Sequence, residues 1–202
     1  MKKLTDYQAI IVDLDGTLYY QKPVRIAILK EMVLHFWHFR DFLIVKRYRE
    51  LYEHGLNEQE RLAALPVNAP QIIHEWMIDR PLPYVAKYKD SDLVKLLTEI
   101  GNMGKTVIVY SDYPVTEKLG ALHFVPSAAY SAEETNCLKP DATGIIDILR
   151  GLSIVPEQCL IIGDRQDKDG DMARNMAADV VILPPDCSER LKIYEEIISQ
   201  RF

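Results

Sequence analysis

The stretch Ala9–Leu18, AIIVDLDGTL, carries the decision about this chain's fold. Its first half is a short, apolar, β-rich run, the composition of a strand buried on both faces of a parallel sheet. The run ends at the turn signal Asp15-Gly16, with Asp13 and Asp15 left at the strand's carboxyl end. In an open α/β sheet, ligands bind beyond the carboxyl ends of the strands. The residues that follow every other strand therefore become candidates for a site.

Working outward, further short apolar runs read as strands at Thr106–Tyr110 (TVIVY), Ser127–Ser131, Cys159–Gly163 (CLIIG) and Val180–Leu183. Helical patterns over Ser91–Ile100, Pro114–Leu119, Asp141–Leu152, Gly170–Ala178 and Ser188–Ser199 alternate with them. That alternation predicts an α/β domain: a doubly wound, parallel-sheet, Rossmann-like core with helices on both faces. Residues 20–88 break it. Pro23 opens a run of apolar residues at three- and four-residue spacing that reads as one long helix up to Gly55. Asn57 then caps a short helix through Leu65, and another runs from Asn68 to Arg80, ended by Pro81 and Pro83. The expected organisation is a catalytic core of residues 1–19 and 89–202, with 20–88 inserted as a helical cap hinged near Tyr19–Lys22 and Tyr88–Ser91.

The chain has 202 residues, 48% apolar and 27% charged, which fits a globular domain with an insertion. No apolar run reaches the roughly 18 residues that span a bilayer, and the interrupted N-terminal stretch is not read as a signal peptide. Three dispersed cysteines, Cys137, Cys159 and Cys187, suit neither a disulfide framework nor a zinc site, so a reducing, cytoplasmic setting is expected. A net charge of −6 speaks against a nucleic-acid partner, and no membrane partner is expected. The charge is uneven: residues 20–88 hold 10 basic and 8 acidic side chains, the remainder 14 and 22. A basic insertion over an acidic body can draw in an anion that the acids alone would repel. Arg25, Lys30, Arg40, Lys46, Arg47 and Arg49 are the candidates to meet it, with the Arg25–Lys30 end expected near the site and the Arg47–Arg49 end distal. Phe36, Trp37, Phe39 and Phe42 suit a substrate pocket, the insertion's own core or a homodimer interface. The histidines lack a third ligand at zinc spacing.

At the strand ends stand Asp13, Asp15 and Thr17, then Ser111-Asp112, then Lys139 before a helix, then Gly163-Asp164 with Asp169 beyond. Carboxylates gathered at one edge need a cation, and hard oxygen donors suit Mg²⁺ together with substrate phosphate. A lysine and a hydroxyl beside them suit a phosphoryl group.

These residues resemble the four motifs of the haloacid dehalogenase-like superfamily: Asp13-Leu14-Asp15-Gly16-Thr17-Leu18, the strand Val107–Tyr110 ending in Ser111, Lys139-Pro140, and Gly163-Asp164 with Asp169. The resemblance implies Asp13 as nucleophile forming an aspartyl-phosphate and Asp15 as general acid and then base. It implies Ser111 and Lys139 on the phosphoryl oxygens, with Thr17 counted among the phosphate-binding residues and expected to hold the turn and orient Asp15. Mg²⁺ is implied on Asp13, Asp164 and the backbone carbonyl of Asp15, with Asp169 either a weaker contact or a support behind the metal's ligands. Asp167 and Asp171 do not match the spacing. The acid at position 15 separates the chain from the dehalogenating branch, and the 27 residues between Ser111 and Lys139 leave no room for a second cap. The expected activity is Mg²⁺-dependent hydrolysis of a small phosphorylated metabolite, near the phosphoglycolate-phosphatase-like group. A sugar phosphomutase and a non-catalytic regulatory or scaffolding protein are the alternatives.

Overall fold

The structure, a computed structural model, describes residues 2–34 and 38–199. Among them a five-stranded sheet, β1 (Ala9–Val12), β2 (Thr106–Ser111), β3 (Ala128–Ser131), β4 (Cys159–Gly163) and β5 (Asp179–Ile182), runs parallel throughout in the order β3-β2-β1-β4-β5. β1 lies at the centre, with Ile11 paired to Ile108 on one side and to Ile161 on the other. The strand order reverses there, which puts the end of β1 at the switch point where such sheets bind ligands.

Both sheet faces are covered, which is why the strands read as continuous apolar runs instead of alternating ones. Ile10 and Val12 face a core built with Leu93 and Leu97 of α6 (Ser91–Asn102), Leu122 of α7 (Thr116–Leu122) and Ile197 of α11 (Cys187–Ser199). Ile11 and Ile108 face the opposite core, made by Ile145 and Leu149 of α9 (Thr143–Gly151) and Met172 of α10 (Asp171–Asn175). The short helix α8 (Ala132–Thr135) follows β3.

Between β1 and α6 the described chain is helical: α1 (Gln21–Leu34), α2 (Phe39–Glu53), α3 (Glu58–Ala63), α4 (Ala69–His74), a π-helical turn at Glu75–Asp79, and α5 (Leu82–Lys87). Asn57 caps α3 as its sequence suggests, its side chain accepting from the Glu60 amide at 3.0 Å. Two expectations are corrected. The long helix from Pro23 to Gly55 is two helices, because α2 turns back to pack on α4 and the Glu75–Asp79 turn, burying Tyr48, Leu51 and Tyr52. That gain is tertiary, and no proline or glycine announces it. The prolines at 81 and 83 stand at the start of α5 instead of simply ending a helix, since proline is tolerated in a first turn. His35, Phe36 and Trp37 lie outside the described residues.

A buried arginine joins the helical segment to the sheet. Arg61, with no exposed surface, lies over the rings of Tyr48 and Tyr52 at 4.2 and 4.1 Å and pairs with Glu133 of α8 at 2.8 Å. Tyr48 donates to the same carboxylate at 3.3 Å.

Candidate active site

The four strand-end segments converge. Asp13 directly follows β1 and its amide still donates to the Ile162 carbonyl at 2.9 Å, so the sheet ladder fixes its backbone. Its Oδ1 receives the Lys139 ammonium at 2.6 Å, and its Oδ2 accepts the Thr17 hydroxyl at 3.2 Å. Lys139 also reaches Asp169 at 2.8 Å. The Asp169 carboxylate in turn accepts the Arg165 amide at 3.1 Å. Asp13, Asp164 and Asp169 offer oxygens within 4.8 Å of one another. Ser111 is buried at the end of β2, its hydroxyl accepting the Tyr113 amide at 3.3 Å.

Electrostatics follow from crowding three carboxylates around one ammonium. Burial pushes Asp13 above the usual carboxylate range, Asp169 and Asp15 add repulsion, and Lys139 opposes them. Burial raises Asp164 too, again with Asp169 adding to it. Lys139 is held charged: burial would lower it, but Asp13 and Asp169 outweigh that. Asp164 makes no hydrogen bond or ion pair among the described residues.

Asp15 has a different environment, which the sequence did not announce. Its Oδ1 receives the Lys118 ammonium at 2.6 Å and the Tyr19 hydroxyl. Burial works against ionisation of Asp15, but Lys118, then Tyr19 and Arg49, hold its carboxyl below the usual range. Its Oδ2 is buried with no hydrogen-bond partner among the described residues. Lys118 sits on α7 in the stripe with Val115, Leu119 and Leu122, all buried. A charged residue in the inward stripe of an amphipathic helix was the available signal. The expectation that Thr17 orients Asp15 is corrected: its hydroxyl goes to Asp13, and Lys118 with Tyr19 orients Asp15. Directly after Asp15 the chain turns at Gly16, which has a left-handed backbone.

That turn is held from below. Arg190 of α11 donates to the Gly16 carbonyl at 2.6 Å and the Thr17 carbonyl at 3.1 Å, and is itself paired with Asp90 at 3.0 Å. Gly16 has φ +105°, and a Cβ there would stand 2.2 Å from Asp164 Oδ2. Gly16→Ala is therefore expected to carry about 1–3 kcal/mol of backbone strain. Its melting temperature should fall by about 3–10 °C, and a scanning-calorimetry trace matching wild type would contradict this.

Other sequence candidates separate from the site. Asp167 pairs with Arg165 at 2.5 Å and Asp171 with Arg174 at 3.0 Å. The Cys137 carbonyl accepts from Tyr110 at 2.8 Å, a structural contact. His38 pairs with Asp41 at 2.6 Å. A cavity of about 420 Å³ opens above the carboxylates, lined by core and helical segment together. Arg25 and Arg49 both line it, whereas Lys30 and Arg47 do not. The expectation of a distal Arg47–Arg49 end is thus overturned for Arg49: α2 runs back toward the sheet and sets Arg49 5.4 Å from the Tyr113 ring. Arg47 stays exposed and pairs with Glu50 at 3.5 Å. Phe42 lines the cavity mouth and Phe39 is exposed.

A parallel Rossmann-like sheet thus carries, at the switch point beyond its central strand, an aspartate with a lysine and two further acids around it. The chain belongs to the haloacid dehalogenase-like hydrolase family, whose model matches residues 7–177. Solved structures agree on the fold. The HAD protein YfnB from Bacillus subtilis, solved bound to magnesium, is 14% identical with a TM-score of 0.60, over 90% of this chain and 88% of that one. β-Phosphoglucomutase from Clostridium difficile is 16% identical with a TM-score of 0.58, over 96% and 99%. A HAD phosphatase from Thermococcus onnurineus is 14% identical with a TM-score of 0.56, over 91% and 86%. No curated protein sequence matches the chain. No helix among the described residues is long and apolar enough to cross a membrane.

Proposed function

We propose that this hydrolase is a Mg²⁺-dependent phosphatase acting on phosphate monoesters through an aspartyl-phosphate at Asp13. The supporting observation is the arrangement around Asp13: a carboxylate fixed by the sheet, with Lys139 at 2.6 Å and two more acids close by. Phosphoryl transfer asks for positioning and charge stabilisation, which such a site supplies.

The donor set fits the metal. It is all oxygen, and Asp164 has no partner among the described residues while burial and Asp169 disfavour its charge, the situation a divalent cation relieves. Asp13, Asp164 and the Asp15 backbone carbonyl would hold Mg²⁺, with Asp169 behind them. When bound, the ion supplies positive charge to the phosphoryl oxygens.

In this reading an Asp13 oxygen attacks phosphorus, the P–O bond to the alcohol breaks, and the leaving oxygen takes a proton from Asp15. Asp15 then takes a proton from water, whose oxygen attacks phosphorus and releases inorganic phosphate from Asp13. Ser111 and Lys139 hold the phosphoryl oxygens. Lys118 and Tyr19 keep Asp15 ionised at rest, ready for the second step. A phosphate dianion beside it opposes that effect and favours the proton-carrying form needed for the first. Residues 20–88 serve as a cap that closes the cavity and excludes water.

Phosphate release from an aryl phosphate in Mg²⁺ tests the proposal, and failure of every phosphate monoester to react would refute it. Lys118→Met is expected to lower kcat by about 10–100-fold, less than the roughly 10²–10⁴-fold of losing the acid–base group itself, because Asp15 remains. An unchanged kcat would show that Lys118 has no part in setting Asp15. Interconversion of sugar phosphates without net phosphate release would favour the phosphomutase alternative.

A further inference from the structure

The cavity has two unlike halves. Its floor carries the acids, Ser111, Lys118 and Lys139. Its roof, from α1, α2 and the Glu75–Asp79 turn, is apolar: Ile28, Met32, Val45, Met77 and Ile78 face it. The mouth continues in the same character, with Leu29 and Phe42 lining it while 59% and 37% exposed. From residues 20–88 the described lining includes no Asp, Glu, Asn, Ser, Thr or His. Its hydrogen-bonding side chains there are Gln21, Arg25, Arg49 and Trp76, and the Trp76 indole nitrogen is buried away from the cavity surface.

Resting on the phosphatase reading, we infer that the substrate is the monophosphate ester of an alcohol with an apolar body, aromatic or branched aliphatic, and not of a sugar or a small hydroxy acid. A sugar's hydroxyls need acceptors as well as donors, and the roof's one amide cannot serve them. Burying them there would leave polar groups unpaired. An apolar body fills the same space by excluding water from Ile28, Met32 and Met77. A volume of about 420 Å³ is sufficient for such a ligand. Arg25 and Arg49 both line the cavity and have no carboxylate within salt-bridge distance among the described residues, so both guanidiniums can meet the charge of an anionic substrate.

The test compares kcat/KM for three primary alkyl esters, 2-phenylethyl phosphate, glucose 6-phosphate and phosphoglycolate, with acetyl phosphate as a small reference. Similar leaving groups make the ratios report on the roof. The 2-phenylethyl ester is expected to exceed the other two alkyl esters by about tenfold or more. Ile28→Asn and Met32→Gln, both at half-buried positions, should each shrink that advantage by about tenfold. Preference for the sugar or glycolate ester, or an advantage unchanged in both variants, overturns the inference. If glucose 6-phosphate or phosphoglycolate reacts while the apolar ester is not favoured, only this inference falls. If no ester reacts, the phosphatase reading falls and takes the inference with it.

Discussion

Asp13→Asn is expected to reduce phosphate-ester hydrolysis by about 10⁴-fold or more, as losses of a covalent nucleophile do. An amide oxygen at the same position has the shape but not the charge or the basicity to attack phosphorus. The variant should nevertheless fold. Asp13 is buried among acids that disfavour its charge, and Lys139 keeps Asp169 at 2.8 Å as a partner after the change. An intact melting transition would therefore accompany the lost turnover, and acid-quenched wild-type enzyme, unlike the variant, should carry phosphate on the peptide containing residue 13. Asp15→Asn should cost less, about 10²–10⁴-fold, because it removes proton transfer and leaves the nucleophile. Asp13→Asn retaining even a hundredth of wild-type activity would mean that water attacks the ester directly.

The sheet and its edge were legible because local sequence and global fold agree there. β1, β2 and β4 are continuous apolar runs, and each must end where the chain leaves a two-sided core. In a parallel sheet those ends lie along one edge, so Asp13, Ser111 and Asp164 meet for topological reasons, while Lys139 is carried to them by the chain beyond α8. What the sequence hid depends on contacts between distant segments. Lys118 looks like an ordinary helical lysine until α7 is packed, and only then does it meet a carboxylate 103 positions away. Arg61 is likewise an unremarkable residue of a short helix until Tyr48, Tyr52 and Glu133 surround it. The return of α2 follows from packing on α4, and no breaker encodes it. That one turn moves Arg49 from the expected far end of the insertion to the cavity wall.

Withdrawing the metal should be the next largest effect, with chelation expected to lower turnover by about 10³-fold or more, the scale of losing preorganised charge at a reacting centre. Activity should return with Mg²⁺. Binding can be read without turnover. A ligand at 100 times its Kd stabilises the folded state by about 2.7 kcal/mol, which for a chain of this size is a rise of about 5–10 °C in melting temperature. Asp164→Asn separates the metal's effect from that of the fold. Asp164 is half-buried beside Asp169 and has no partner among the described residues, and desolvation and Asp169 both disfavour its charge, so in chelator that charge opposes folding. Removing that charge should leave the chelated variant at least as stable as chelated wild type, while abolishing the upward shift with Mg²⁺ and the activity together. A variant that melts lower than wild type in chelator would show that Asp164 is held by the fold itself. A variant that still gains several degrees with Mg²⁺ would place the cation on other residues.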